Sequence, residues 1–170
     1  MKLVYRFGRV AVLAILSLLV GNLKGGVDGF SVYFGAGMLV AAFLSMIYIF
    51  INFDKELDEK LLMEMLVDGF SGLIIFTYPF SDTQFFIVIF SFWIAVMGIL
   101  LLSAGLFDQN KKESFWFYIL SGIVFIVFGF TIMHVTEANQ GLLKYLIAFV
   151  LLIYAAAHCR FLCIKKQEVY

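Results

Sequence analysis

The sequence predicts an all-α membrane protein with six transmembrane helices arranged as three antiparallel hairpin repeats. Three observations predict it: an apolar composition, six long apolar runs, and basic residues that fall on alternate sides of those runs. Of the 170 residues, 64% are hydrophobic and 14% are charged, whereas soluble domains carry roughly 45–50% apolar and about 25% charged residues. This composition indicates that lipid surrounds most of the chain.

The apolar runs have the lengths that a bilayer requires. A hydrocarbon core of about 30 Å is crossed by about 20 helical residues, and backbone polar groups in lipid must be paired within the helix. We predict six spans: Tyr5–Leu23, Phe30–Phe53, Leu61–Phe80, Phe85–Phe107, Phe115–His134 and Leu142–Ile164. Together they form one six-helix domain that covers residues 1–170.

Ten of the twelve Lys and Arg residues fall on one side of the predicted spans, and only Lys24 and Lys144 fall on the other. Because cytoplasmic loops carry the excess of basic residues in membrane proteins, we predict that both termini are cytoplasmic. The first run could imitate a secretory signal, but no A-x-A-like cleavage site follows it. We therefore predict that it is a retained first helix.

The second and third hairpins repeat one another at an offset of about 57 residues. The segment Gly72–Thr77 aligns with Gly129–His134, and Met97–Ile99 aligns with Ala155–Ala157. Chance alignment of helices rich in Phe and Ile is the alternative explanation. Short turns such as Ser81–Gln84 make successive helices antiparallel neighbours, so we predict three hairpins that open toward the cytoplasm.

These motifs resemble the HdeD family of acid-resistance membrane proteins, which are six-helix proteins built from a short repeat of unknown function. The resemblance is carried chiefly by Gly72–Phe80, which is a glycine, an apolar run and an aromatic-proline turn. Phe115–Trp116, followed by Gly122 and Gly129, fits the same pattern. The resemblance implies a protein of the bacterial inner membrane that is linked to survival at low pH. It implies no reaction, cofactor or transported substrate.

The third span carries charged residues at membrane depth. Lys60, Glu64 and Asp68 follow one another at intervals of four residues, which places them on one helix face. A carboxylate at a helix centre costs on the order of 2.5–3.5 kcal/mol on insertion scales, so Asp68 should face protein or water. We predict an intramembrane polar cluster of Glu64, Asp68, Arg9 and Arg160. It forms either a proton-responsive vestibule that opens to the cytoplasm or an interfacial ion pair that fixes helix packing.

On the outer side, His134 and Glu137 flank the third turn. Histidine changes its charge near neutral pH, so we predict a pH-responsive pair on this face. The alternative is that His134 only caps its own helix at the membrane interface.

Two cysteines, Cys159 and Cys163, lie near the end of the last span beside His158. The three residues could suggest a soft-metal site, but structural zinc normally has four ligands. We predict two packed free thiols, and neither a metal nor a cofactor.

Two functions fit these observations. The first is a non-enzymatic inner-membrane protein of the HdeD type that supports acid or stress tolerance. The second is a small transporter or channel with a polar path past Asp68 and Glu64. A dry, Phe-packed centre would favour the first function, and a continuous wetted path would favour the second. The expected partners are the lipid bilayer and a second copy or another membrane protein; the zero net charge gives no reason to expect nucleic acid.

Overall fold

The computed structural model describes residues 2–23, 27, 29–51, 59–78, 83–107, 115–135 and 140–167. Within these ranges the chain forms six helices: α1 (Lys2–Asn22), α2 (Phe30–Ile51), α3 (Glu59–Thr77), α4 (Thr83–Phe107), α5 (Phe115–Met133) and α6 (Gln140–Gln167). At a rise of 1.5 Å per residue they are about 28 to 42 Å long, which matches a hydrocarbon core of about 30 Å.

Four of the helices contain stretches that are long and apolar enough to cross a membrane. These stretches are Phe30–Ile51, Thr83–Leu106, Phe115–Met133 and Gly141–Cys159. The apolar stretch of α1 whose side chains the structure describes is shorter, from Phe7 to Asn22. The remaining helix, α3, has a comparable length of 19 residues but carries charges within it.

The helix surfaces have the reverse polarity of a water-soluble protein. On α3, the apolar side chains of Met63, Leu66 and Phe70 are exposed, whereas Glu64 and Asp68 are buried. A helix on the surface of a soluble protein turns its charged face outward instead. Large apolar side chains are exposed on the other helices as well, among them Leu18, Phe43, Phe92, Val127 and Leu152. The fold is therefore that of an all-α membrane protein.

Successive helices are antiparallel neighbours, and α6 closes the arrangement by packing along α1. Gly8 lies beside Leu44 and Gly37 beside Leu16, which sets α1 and α2 in opposite directions. The hydroxyl of Ser17 donates a 2.7 Å hydrogen bond to the carbonyl of Ala148 on α6. We call the end of the bundle where α1 begins and α6 ends the terminal end, and the other the opposite end.

The most extensive contacts join α4 to α5, then α2 to α3 and α1 to α6. By contrast, α3 and α4 share few contacts, and α5 and α6 share the fewest of these neighbours. The hairpins predicted from the short turns are thus not the pairs that pack most closely. Small residues explain the difference, because they lie on the faces that join α2 to α3 and α4 to α5.

Glycine permits the close approach of α4 and α5. A Cβ atom placed on Gly98 would lie 2.7 Å from the carbonyl oxygen of Gly122, and one placed on Gly122 would lie 2.8 Å from that of Gly98. The same relation holds between α2 and α3, where a Cβ on Gly72 would lie 3.0 Å from the carbonyl oxygen of Gly35. Such backbone contact is typical of membrane helices, whose association depends on packing rather than on exclusion of water.

The interior is built from aromatic and aliphatic side chains of all six helices. Trp93 on α4 lies at its centre, in edge contact with Phe34 of α2 and Tyr154 of α6 at ring-centroid distances of 5.6 and 5.5 Å. Tyr154 in turn contacts Phe125 of α5 at 5.2 Å. These rings surround the polar groups that are described next.

A buried charge network between four helices

Arg9 of α1 and Asp68 of α3 form a two-bonded ion pair inside the bundle. The Nε of Arg9 donates to Asp68 Oδ2 at 2.7 Å, and its Nη2 donates to Asp68 Oδ1 at 3.2 Å. Arg9 is 1% exposed and Asp68 is fully buried. Side-by-side donors of a planar guanidinium match the two oxygens of a carboxylate, so this geometry fixes α1 relative to α3.

Glu64, which lies one turn earlier on α3, pairs with another nitrogen of the same guanidinium. Arg9 Nη1 donates to Glu64 Oε2 at 3.0 Å, and the hydroxyl of Tyr154 on α6 donates to Glu64 Oε1 at 3.3 Å. Tyr154 also receives a long 3.5 Å bond from Arg9 Nη1. The network therefore joins α1, α3 and α6.

Trp93 and Met97 bring α4 into the network. The indole N–H of Trp93 donates to Asp68 Oδ1 at 2.8 Å, and Arg9 Nη2 lies 3.6 Å from the sulfur of Met97. Asp68 thus accepts three hydrogen bonds, while the guanidinium contacts partners on three helices. A buried charge is tolerated when it is paired and its remaining polar atoms are hydrogen-bonded, and this network meets both conditions.

Exposure increases from Asp68 toward the terminal end. His158 of α6 is 7% exposed, and its Nδ1 lies 3.9 Å from Glu64 Oε1 and 3.5 Å from Arg9 Nη1. Lys60 lies 3.6 Å from Glu64 Oε1, and its side chain is 22% exposed. Asp68, Glu64 and Lys60 therefore form a short series of polar groups, which we call the polar ladder. Its outer member, Lys60, is partly exposed.

Toward the opposite end, aromatic rings close the network. Phe34 packs against Phe90 and Phe86 at 5.3 and 5.6 Å, and Phe86 packs against Phe30 at 5.7 Å. Together with Trp93 they form what we call the aromatic plug, whose members are at most 2% exposed. Close-packed rings leave no room for water, so the polar ladder ends at Trp93.

The structure brings three of the four residues of the predicted intramembrane cluster together: Arg9, Glu64 and Asp68 are in direct contact. Arg160 lies on α6, but its side chain is outside the described part of the chain. The sequence predicted either a proton-responsive vestibule or an interfacial ion pair, and both stay predictions. Asp68 lies midway along α3, where it is fully buried and paired with Arg9.

On the opposite end, His134 is exposed and its Nδ1 lies 2.7 Å from the carbonyl oxygen of Phe130, four residues earlier on its own helix. This is the contact of a side chain that caps its own helix. Glu137, its predicted companion, lies outside the described residues.

The sequence interpretation did not include Trp93, Tyr154 or Met97 in the cluster, and it considered His158 only beside the cysteines. A usable signal was present for two of them. Tyrosine and tryptophan prefer the membrane interface, yet Trp93 and Tyr154 lie near the middle of their spans. A buried hydroxyl or indole N–H normally has a hydrogen-bond partner, so their depth pointed to a polar group nearby.

The apolar exposed surface, the four membrane-length helices and the enclosed charges define a membrane protein of unknown function. A family model described as a short repeat of unknown function (DUF308) matches residues 66–134, which run from within α3 to the end of α5. This family is found in HdeD-like membrane proteins. No curated protein and no solved structure matches the chain.

Proposed function

We propose that this chain is a non-enzymatic, multi-pass protein of the bacterial inner membrane that supports acid or stress tolerance, as the HdeD proteins it resembles do. The match of residues 66–134 to the short repeat and the resemblance of Gly72–Phe80 to the HdeD pattern support this assignment. Its partners are the surrounding lipid and either a second copy or another membrane protein.

The closed charge network is the observation that carries the proposal. Its carboxylates are paired with Arg9, and the aromatic plug separates Asp68 from the opposite end of the bundle. A transporter opens a solute site to each side in turn, whereas the two carboxylates of this network are already paired with a cation of the same chain. The arrangement favours a protein that acts as a folded unit over one that conducts a solute.

We infer that all six helices span the membrane. The charges of α3 do not contradict this, because Glu64 and Asp68 face inward and the exposed side chains of the helix are apolar. The side chain of Arg9 on α1 is likewise buried within the bundle. The ten-to-two distribution of basic residues supports a cytoplasmic location for the terminal end and both termini.

We also propose that the chain contains three related helix pairs: α2 with α3, α4 with α5, and α6 with α1. In each pair a backbone carbonyl oxygen of one helix lies against a small residue of the other. The carbonyls belong to Gly35, Ser91 and Ala148. They lie against Gly72, Gly129 and Ser17, respectively. The three carbonyl-bearing residues are about 57 residues apart. This regularity supports three repeated units and pairs the first helix with the last.

The second candidate is a small transporter or channel, and one observation favours it. Lys60, Glu64 and Asp68 form a polar ladder whose exposure rises toward the terminal end, as an entrance would. Conduction then requires that Phe34 and its neighbours in the aromatic plug move apart. Replacing Phe34 and Phe90 with alanine should raise proton or ion leak in vesicles if this candidate is correct, and should leave the vesicles tight if it is not.

The proposal is tested by acid survival of the source bacterium after deletion of the gene. The deletion strain should survive exposure to low pH less well than the parent, and the intact protein should restore survival. Asp68→Asn, expressed at the same level in the membrane, distinguishes a proton-responsive role from a packing role: full restoration assigns Asp68 to packing. Equal survival of the deletion strain and the parent would contradict the proposed role in acid tolerance.

A further inference from the structure

The interface between α5 and α6 is open near the opposite end of the bundle. A groove of about 1080 Å³ lies there, and its lining includes Phe130, Thr131 and His134 from α5 and its C-terminal end and Tyr145, Leu146 and Phe149 from α6. We call it the α5–α6 groove. Its position follows from the packing, because α5 and α6 share the fewest contacts of the neighbouring helices.

The groove has an apolar inner part and a polar-tipped rim. Leu143, which is 1% exposed, lies deepest among the lining residues that carry an apolar side chain, and Phe149 lies at the end nearer the membrane interior. From Phe149 to Leu142 at the rim, α6 rises about 10 Å. His134 and Tyr145, both exposed, lie near the rim, where they place an imidazole and a phenol close to the helix ends.

A cation stands beside the rim. The ammonium of Lys144 lies 4.9 Å from the ring centroid of Tyr145, which lines the groove. It donates a 3.0 Å hydrogen bond to the carbonyl of Leu23 at the end of α1. An ammonium has three donors, so the same group can hold this carbonyl and an anion that approaches along Tyr145.

We propose that the α5–α6 groove binds a membrane phospholipid, with one acyl chain against Phe130, Leu146 and Phe149 and the phosphate near Lys144 and His134. The chemistry of the groove matches an amphipathic ligand: it is apolar within and polar-tipped at the rim, and the ammonium of Lys144 lies beside Tyr145. An ammonium forms strong, charge-assisted hydrogen bonds with phosphate oxygens. This site requires only that the bundle lies in lipid, and it is independent of the role in acid tolerance.

A second copy of the chain fits the groove less well. Stable protein interfaces use about 20–30 residues on each side, and nine of the described residues line this groove. A single acyl chain does not need an interface of that size, because in the bilayer it already contacts other acyl chains and only exchanges them for side chains of the groove.

The test is native mass spectrometry of the protein purified in a delipidating detergent. Two variants fill the groove, Leu146→Trp from α6 and Thr131→Phe from α5. Leu152→Trp is the matched control, because Leu152 is 52% exposed on the same helix and does not line the groove. We expect one phospholipid to remain on the intact protein and on the control, and to be lost from both filled variants.

Lys144→Gln tests the head-group end with synthetic phosphatidylglycerol and phosphatidylcholine. Retention of the anionic lipid should fall by up to about fivefold relative to the zwitterionic lipid, which is the most that one exposed ion pair typically contributes. Three results would each overturn the site: no retained lipid on the intact protein, equal retention in the filled variants, or a lipid-free dimer.

Discussion

The ion pairs of a single residue, Arg9, explain why the interior of this bundle can hold charges. Its guanidinium is shared between Asp68 at 2.7 Å and Glu64 at 3.0 Å. Removing one member of a buried ion pair typically costs about 3–5 kcal/mol, because the other charge stays buried without compensation. A hydrogen bond between membrane helices is worth less, about 0.6 kcal/mol on average. The ion pairs should therefore dominate the energetics of the network.

Arg9→Met should be the most destabilising substitution in the network, by about 3–5 kcal/mol, because it leaves two carboxylates buried without their cation. Reversible unfolding in mixed micelles, followed by helical circular dichroism, measures the change. Asp68→Asn serves as the comparison: Arg9 keeps Glu64 as its partner, so the loss should be smaller. Equal losses for the two variants would show that Glu64 does not share the charge of Arg9.

Trp93→Phe should cost about 0.6–1.7 kcal/mol, because it removes the indole donor to Asp68 but keeps most of the ring. The same unfolding assay measures it. Trp116→Phe is the matched control, since Trp116 is 75% exposed and surface changes usually stay within about 0.5 kcal/mol. A loss for Trp93→Phe no larger than that of the control would contradict the bond to Asp68.

The three charged members of the network were predictable from the sequence because charges inside apolar runs are costly and need partners. Arg9, Glu64 and Asp68 each interrupt such a run. Trp93 and Tyr154 were not predicted, because their identity as partners depends on which helices lie next to α3. That neighbourhood arises from packing between distant segments, which periodicity within one helix does not report.

Glycine positions determine, at the scale of helices, which pairs pack closely. The prediction of six helices came from the length of the apolar runs. It is confirmed in the described residues, where the helix ends lie within a few residues of the expected bounds. The prediction of hairpin partners came from turn length, which fixes direction but not the extent of contact. Gly98 and Gly122 decide the extent, since they allow backbone to approach backbone.

Gly122→Ala should destabilise the protein by about 1–3 kcal/mol, the usual cost of overpacking. The added methyl group would lie 2.8 Å from the carbonyl oxygen of Gly98 and 2.9 Å from the backbone nitrogen of Leu102, and neither backbone atom can move aside cheaply. The thermal unfolding midpoint in detergent measures the effect. Gly141→Ala is the matched control, because nothing lies within 4 Å of its added Cβ. A midpoint for Gly122→Ala at or above that of the control would show that α4 and α5 are further apart.

At the scale of the whole molecule, the described helices bury the charges of Arg9, Glu64 and Asp68 and expose many large apolar side chains, and the two ends of the bundle differ. Toward the terminal end the ladder reaches Lys60, whereas toward the opposite end the phenylalanines of the aromatic plug pack over Trp93. Composition predicted the apolar exterior, because it reflects the surrounding lipid. The asymmetry was not predicted, since Phe30, Phe34, Phe86 and Phe90 are indistinguishable in the sequence from the many phenylalanines that face lipid.

Cysteine accessibility across the membrane tests the central claim, a charge network enclosed in a lipid-embedded bundle and sealed toward the opposite end. In a chain with Cys159→Ser and Cys163→Ser, single cysteines would replace Tyr78, Lys60 and Met97, and each would be exposed to a membrane-impermeant thiol reagent. The account predicts labelling of Tyr78→Cys in intact cells, of Lys60→Cys only in inverted vesicles, and of Met97→Cys in neither. Labelling of Met97→Cys from outside the cell, or of Tyr78→Cys and Lys60→Cys from the same side, would contradict it.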